Sequence, residues 1–304
     1  MENENPQPAK RPRTANGEME QPEDENALSQ HPELWFEDGN IILQVQATQF
    51  KVHRSVLSNQ SEIFKDMLAV PQPPSLAECP VVVLHDSALD VESVLLLLYD
   101  TMRLYNFREK MSLSVLGSML RLGRKYQFKH FITEALHCLN LEFPSDFDLW
   151  DVREGGRYVQ DTGNSLFDAF YIAHENSIKS ILPSLYLIIC CRCRLPQIIA
   201  GLDRPGKRPY LKTGEPQAFL QGREKLFRSV SQNTMAWLMK SIFNAEIMEV
   251  IWLVAYSWEK NNLHRAFCGP CDKVAKEAHD ASRKVIWDMV PQYFGIKDED
   301  FDAA

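Results

Sequence analysis

The side chains with the clearest chemical potential lie in FKVHRSVLSNQSEIFKDML, residues 50–68, where His53 and Arg54 adjoin Ser55 and Ser58. Nucleophilic catalysis would require a base that contacts a nucleophile and a third group that orients the base. No G-x-S-x-G, H-E-x-x-H or P-loop pattern accompanies them. We therefore predict that no residue is catalytic, and that His53 has a structural role at a strand-to-helix turn, where its ring bridges backbone groups.

The cysteines raise a second chemical question, because CGPC spans Cys268 to Cys271 and CCRC spans residues 190–193. A redox CxxC follows a buried strand in a βαβ unit, and the segment before Cys268 lacks that pattern. Zinc is the stronger alternative, with thiolates from both motifs and His264 or His279 as substitutes. Since CCRC lies in an apolar helical run, we expect its first two thiols to pack as small apolar groups. We predict no cofactor. The alternative is a bound zinc ion, for which Cys268 and Cys271 are the candidate ligands.

Composition and charge limit the classes of function. The chain has 304 residues, a net charge of -8 and seven cysteines. An acidic balance argues against direct nucleic-acid binding, and no apolar run is long enough for a membrane span. The odd cysteine count and the polar start MENENPQPAK predict reduced thiols in the nucleus or cytoplasm.

The first 33 residues differ from the remainder of the chain. They contain eight acidic and three basic residues and few large apolar ones, a composition typical of disorder. Within them, KRPR supplies Lys10, Arg11 and Arg13 as a candidate nuclear-import cluster, and the alternative is a group of solvated charges. We also predict a frayed acidic tail over residues 297–304.

The elements that would position His53 belong to an α+β domain over residues 34–143. Ile41, Leu43 and Val45 recur at every second position, as in a half-buried strand, and Phe50 and Val52 indicate the returning strand of a hairpin. VVVL, residues 81–84, predicts a central strand that is buried on both faces. Together with the intervening helical patterns, these runs predict a short three-stranded sheet with flanking helices.

The second half shows helical patterns and no convincing strand alternation. We predict a linker over residues 144–164, which is polar and contains glycine, and a mainly α-helical C-terminal domain over residues 165–296. Prolines punctuate the helical runs, and no repeat of fixed period is present.

The first domain resembles the BTB/POZ family. The match covers about residues 34 to 142 and includes VVVLHD, VLLLLY and the closing helical pair with its Lys125-Tyr126 step. The whole chain is also similar to a subset of fungal BTB/POZ proteins of unassigned activity, through LWFEDGN, PQPP, a SILPSLYL helix and the late CxxC. The signature residues are Asp38, Phe50, His53, Arg54, Leu57, Ser61, Phe64 and Met67.

The resemblance implies a non-enzymatic protein-interaction module that binds proteins and often forms homodimers. We place the candidate dimer surface at Leu34, Trp35 and Phe36, and the alternative is that these side chains pack within their own domain. Some relatives bind a cullin as substrate adaptors of ubiquitin ligases, and others are partners of transcriptional repressors. Cullin binders carry a Glu where this chain has Leu89, and Asp100-Thr101 replaces their Thr-Gly. We therefore expect a scaffold, with a cullin adaptor as the alternative.

Overall fold

The computed structural model describes residues 28–70, 79–100, 110–153, 158–159, 165–203, 214–234, 255–266 and 269–296. Its four strands form one sheet in the order β1-β3-β2-β4. β2 and β3 form an antiparallel hairpin, whereas β1 is parallel to β3 and β4 is parallel to β2. The strands are β1 (Ser29–Trp35), β2 (Ile41–Val45), β3 (Thr48–Val52) and β4 (Val81–Leu84).

The sheet corrects three sequence-based predictions. It has four strands instead of three, because β1 adds to the free side of β3. β1 begins at Ser29, so the prediction that residues 29–33 are disordered is wrong. β4 is an edge strand, with Val81 44% and Val83 55% exposed, and the prediction of a central strand buried on both faces is wrong.

Helices cover the inner face of the sheet. Two helices follow His53, because Ser61 ends the first with an extended backbone and caps the second with its hydroxyl. The α+β class is confirmed for this part of the chain. Its helices are α1 (Arg54–Gln60), α2 (Glu62–Ala69), α3 (Ala88–Tyr99), α4 (Leu113–Tyr126) and α5 (Lys129–Glu142).

The remainder of the described chain is helical, as predicted. One helix falls within the predicted linker, because Asp146 caps it and Trp150 packs on Trp287 at a ring distance of 4.9 Å. No described helix is long and apolar enough to cross a membrane. The helices are α6 (Phe147–Val152), α7 (Ser165–Glu175), α8 (Leu182–Arg192), α9 (Leu195–Leu202), α10 (Glu215–Ser229) and α11 (Gly269–Tyr293), with a π-helical turn (Val230–Thr234) and a 3-10 helix (Leu263–Ala266).

A single hydrophobic core joins the two parts of the chain. Residues 182–191 of α8 are all buried, and Tyr186 stacks on Phe294 at 4.0 Å. A polar joint lies beside this core, where Arg121 of α4 donates to Asp90 of α3 at 2.7 and 2.8 Å and to Glu175 of α7 at 3.2 Å. These contacts fix the C-terminal helices against the α+β part.

Candidate protein-interaction surface

The sheet presents a face to solvent opposite the helices. Residues paired across neighbouring strands point to the same face, so the register identifies this face directly. Trp35 pairs with Lys51, Lys51 with Ile42, and Ile42 with Val81, which forms one row across all four strands. The next row contains Gln30, Gln49, Gln44 and Val83. We call these eight residues the outer sheet face.

The outer sheet face combines apolar side chains with uncharged amides. Trp35 and Ile42 are half-buried, and the two β4 valines are about half exposed. The only charged group in the two rows is Lys51, whose Nζ donates to the Glu37 carbonyl at 2.7 Å. A face of this composition can lose water without leaving a carboxylate unpaired, which suits a protein contact.

The three residues of the candidate dimer surface do not lie together. Leu34 is fully buried in the core of its own domain, so this part of the prediction is wrong. The reason is the alternation of β1, which turns Leu34 inward and Trp35 outward. Phe36 stacks on Tyr99 at 4.4 Å. Trp35 is therefore the member of the three that lies on the outer sheet face.

His53 holds a junction between the hairpin and α3. Its backbone N–H donates to Tyr99 Oη at 2.8 Å, and its Nδ1 lies 2.9 Å from the same hydroxyl. Its Nε2 lies 3.2 Å from the carboxylate of Asp38. If Tyr99 donates to Nδ1, the proton of the neutral ring is on Nε2, which then donates to Asp38. The ring thus bridges two side chains, and the prediction that it bridges backbone groups is wrong.

Tyr99 and Phe36 complete this junction. Burial raises the pKa of Tyr99, the hydrogen bond from the His53 amide opposes that shift, and Asp38 adds to it. Tyr99 therefore stays protonated at neutral pH and keeps its donor. The ring of Phe36 lies 5.3 Å from that of His53. Each described contact of His53 serves packing and orientation.

Arg54 joins two neighbouring segments. Its backbone N–H donates to Asn40 Oδ1 at 2.8 Å, and its guanidinium donates to the carbonyl of Leu68. Leu68 lies in the last turn of α2, where carbonyl groups have no partner within the helix. Arg54 therefore caps α2 from the start of α1 and holds the two helices together.

Ser61 and the Lys125-Tyr126 step link α2 to α4. The Ser61 hydroxyl accepts from the Phe64 amide at 3.0 Å and donates to the Tyr126 carbonyl at 2.5 Å. Phe64 stacks on Tyr126 at 4.6 Å. Lys125 Nζ and Tyr126 Oη both reach Asp86, at 2.7 and 2.5 Å, and burial with this carboxylate raises the pKa of Tyr126. Of the other signature residues, Phe50 and Leu57 are buried and Met67 is half-buried.

The thiols are only partly within the described structure. Cys190 and Cys191 are buried in α8, and burial raises the pKa of both thiols. They pack as small apolar side chains, as expected. Cys268 lies outside the described residues, and so does the side chain of Cys271. The described residues contain no group of three or more His, Cys, Asp or Glu side chains that could hold a metal ion.

Two further predicted sites have different outcomes. Leu89, at the position where cullin binders carry a Glu, is exposed near the start of α3. Lys10, Arg11 and Arg13 lie outside the described residues, so the nuclear-import cluster stays a prediction.

Sequence reasoning missed most of the outer sheet face. Val81 and Val83 were interpreted as core residues, because VVVL was predicted to be a central strand, and Ile42 was not assigned to a surface. The alternation in β2 could have placed Ile42 opposite Leu43, but VVVL has no polar position from which to assign a face. The exposure of Val81 and Val83 follows from the strand order, which no local pattern encodes.

Comparison with known proteins assigns the α+β part of the chain. Residues 35–140 match the family model of the BTB/POZ domain. Neither the curated proteins nor the solved structures contain a match. The matched range runs from Trp35 at the end of β1 to the last turn of α5, and it contains the signature residues described above. Residues 35–140 therefore belong to the BTB/POZ domain family, and this part of the chain is a protein–protein interaction module.

Proposed function

We propose that the protein is a non-enzymatic scaffold whose BTB/POZ domain forms a homodimer through the outer sheet face. The observation that carries this proposal is that four apolar side chains lie on the solvent side of the sheet, namely Trp35, Ile42, Val81 and Val83. Burial of apolar surface gains about 25 cal/mol per Å², so these side chains favour a partner over water.

The arrangement suits a second copy of the same chain. Symmetric dimers use one patch on both subunits, which requires a patch that is compatible with itself. The amides of Gln44 and Gln49 can each donate and accept, so they can pair with copies of themselves. Lys51 carries the single fixed charge of the two rows, and its Nζ donates to the Glu37 carbonyl. Repulsion between like charges is thus small.

The test uses two differently tagged copies of the full-length chain in the same cells. We expect the copies to purify together, and we expect the double substitution Val81→Lys and Val83→Lys in both copies to reduce co-purification strongly, because four lysines would face each other. A matched control is Leu195→Lys with Ile199→Lys on α9, whose side chains are 43% and 51% exposed. If both double variants co-purify as wild type does, the outer sheet face is not the contact.

A cullin adaptor is the second candidate function. The exposed position of Leu89 near the start of α3 favours it, since a partner can reach this helix end. Against it, the carboxylate of the cullin binders is replaced here by an apolar side chain. Purification of the tagged chain with identification of its partners separates the two functions. A stoichiometric cullin that is lost in Leu89→Arg would make the adaptor the leading function.

We place the scaffold in the nucleus on the basis of the basic cluster KRPR. Short basic clusters in exposed segments are read by import receptors. The variant Lys10→Ala, Arg11→Ala, Arg13→Ala should shift a fluorescent fusion from nucleus to cytoplasm. Equal nuclear fractions for wild type and variant would remove this part of the proposal.

A further inference from the structure

Helix α11 has two contrasting faces. The face toward the protein carries buried residues, and Arg283 on it bonds to Asp151 of α6 at 2.5 Å. The opposite face would normally be charged in a helix at a protein surface. Here it carries a row of exposed apolar side chains beside charged ones. The buried residues are His279, Arg283, Ile286, Trp287 and Val290.

The exposed row consists of Val274, Ala278, Ala281 and Val285, which we call the α11 stripe. Val274 is 67% exposed and Val285 is 58% exposed. The intervals are four, three and four residues, the spacing at which apolar residues form the seam between two paired helices. The stripe therefore has the pattern of a helix seam, and no described helix packs on it.

We propose that the α11 stripe binds the α11 stripe of a second copy of this chain, with the two helices antiparallel. A twofold axis between Ala278 and Ala281 places each alanine opposite the partner's other alanine. The same axis places Val274 opposite the partner's Val285. The stripe is thus symmetric about its centre, with small side chains in the middle and larger ones at both ends. This symmetry is what an isologous contact requires.

The charges beside the stripe favour the same arrangement. Glu277 and Lys284 border one side of it, and the twofold axis brings Glu277 next to the partner's Lys284 twice in each pair. The same axis brings Lys273 next to the partner's Asp288. In a parallel pair, the twofold axis would run along the helices and place each of these residues on the opposite side of the seam from its own copy, so the opposite charges would not meet. Within the described part of the chain, none of the four is in an ion pair.

The contact is modest in size, since the stripe spans about three helical turns, and isolated interfaces well below 1,200 Å² are weak. Two copies already joined elsewhere would form it at a high effective concentration. The inference goes beyond the proposed BTB/POZ homodimer and does not depend on it. A chain with both contacts could join into assemblies larger than a dimer.

A charge-swap series tests the proposal by sedimentation of the full-length chain. We expect Glu277→Lys and Lys284→Glu each to weaken self-association about tenfold, because two attractive pairs become repulsive. The double variant should restore it to within about twofold, since each pair is re-formed with exchanged signs. A mixture of the two single variants should associate more tightly than either alone. Lys225→Glu, an exposed lysine on α10, makes the same charge change away from the stripe and should have no effect.

The same series in the Val81→Lys, Val83→Lys background separates this contact from the outer sheet face. In this background the single charge variants should still weaken association and the double variant should still restore it, whether or not the BTB/POZ contact exists. Equal association of all swap variants, or a double variant as weak as the single ones, would overturn the proposal. A Val285→Glu variant that loses thermal stability without any change in association would place a segment of the same chain on the stripe, which would overturn it also.

Discussion

Strand β4 and helix α8 are both apolar, yet two side chains of β4 are open to solvent whereas residues 182–191 of α8 are all buried. In α8, ten consecutive residues from 182 to 191 are buried. On β4, Val81 and Val83 belong to an equally apolar run and are about half exposed. The difference shows that an apolar run alone does not determine burial. Burial depends on how many layers of helices or strands pack around the run.

The surroundings of the two regions explain this contrast. Helix α8 contacts α7 and α11, and its Tyr186 meets Phe219 of α10 and Phe294. Ser184 donates to the carbonyl of Pro144, so α8 is also held from the end of α5. The sheet has helices packed on its inner face, and β4 lies at its edge. One side of β4 is thus left for a partner.

The largest predicted difference between buried and partly exposed side chains is in the rate at which their thiols are modified. Cys190 and Cys191 can react only when α8 opens, so we expect their modification at pH 8 to be slowed at least about a thousandfold relative to the unfolded chain. The half-buried Cys138 has its pKa raised to about 11 by burial and Glu134, so its rate should rise about tenfold per pH unit up to that value.

Alkylation followed by peptide mass spectrometry measures both rates, with the protein in guanidinium as the control in which all thiols react. Modification of Cys190 as fast as in guanidinium would show that α8 is not enclosed.

A cavity in α8 should have the largest effect on stability. Leu185→Ala removes a fully buried side chain and should lower the free energy of unfolding by about 2–5 kcal/mol. Ile199→Ala on α9 removes an exposed side chain and should change it by less than about 0.5 kcal/mol. Urea denaturation measures both. Similar losses for the two variants would contradict the burial assigned to α8.

Close packing beside α8 should be sensitive to a single methyl group. A Cβ at Gly222 of α10 would lie 2.5 Å from Cδ1 of Phe294, which stacks on Tyr186. Gly222→Ala should therefore cost about 1–3 kcal/mol of unfolding free energy. Gly269→Ala meets no atom within 4 Å and should be neutral or slightly stabilising. Thermal denaturation that ranks Gly269→Ala as the more harmful change would show that Phe294 is not packed there.

The smallest effect on stability should come from the outer sheet face. Val81→Lys with Val83→Lys should change the free energy of unfolding by less than about 0.5 kcal/mol per site, because the side chains are half exposed in the single chain. Urea denaturation at a concentration where the wild type is monomeric measures this. A loss comparable to that of Leu185→Ala would mean that the valines belong to the core.

The same contrast shows how far the sequence predicts this fold. The spacing of Leu57, Phe64 and Leu68 identifies helices, and all three are buried as helical patterns require. Ser61 divides the helical run because its hydroxyl bonds to the carbonyl of Tyr126, 65 residues away. Neither this partner nor Tyr99, which holds His53 from 46 residues away, leaves a local signal.

The candidate site was predicted only in part, for the same reason. Trp35 was assigned to the candidate dimer surface and lies on the outer sheet face, where most of its neighbours come from the three other strands. Leu34 was misplaced because one residue of register turns a side chain to the other face. Composition identifies which residues are apolar, and only the strand pairing shows which of them reach solvent.

Sedimentation velocity of the full-length chain over a range of concentrations tests the central claim most directly. We expect the wild type to form dimers or larger assemblies. We also expect that Val81→Lys with Val83→Lys removes the sheet-face contact, and that Leu195→Lys with Ile199→Lys leaves it intact. A wild-type chain that stays monomeric at every concentration, or a sheet-face variant that associates as the wild type does, would contradict self-association through the outer sheet face.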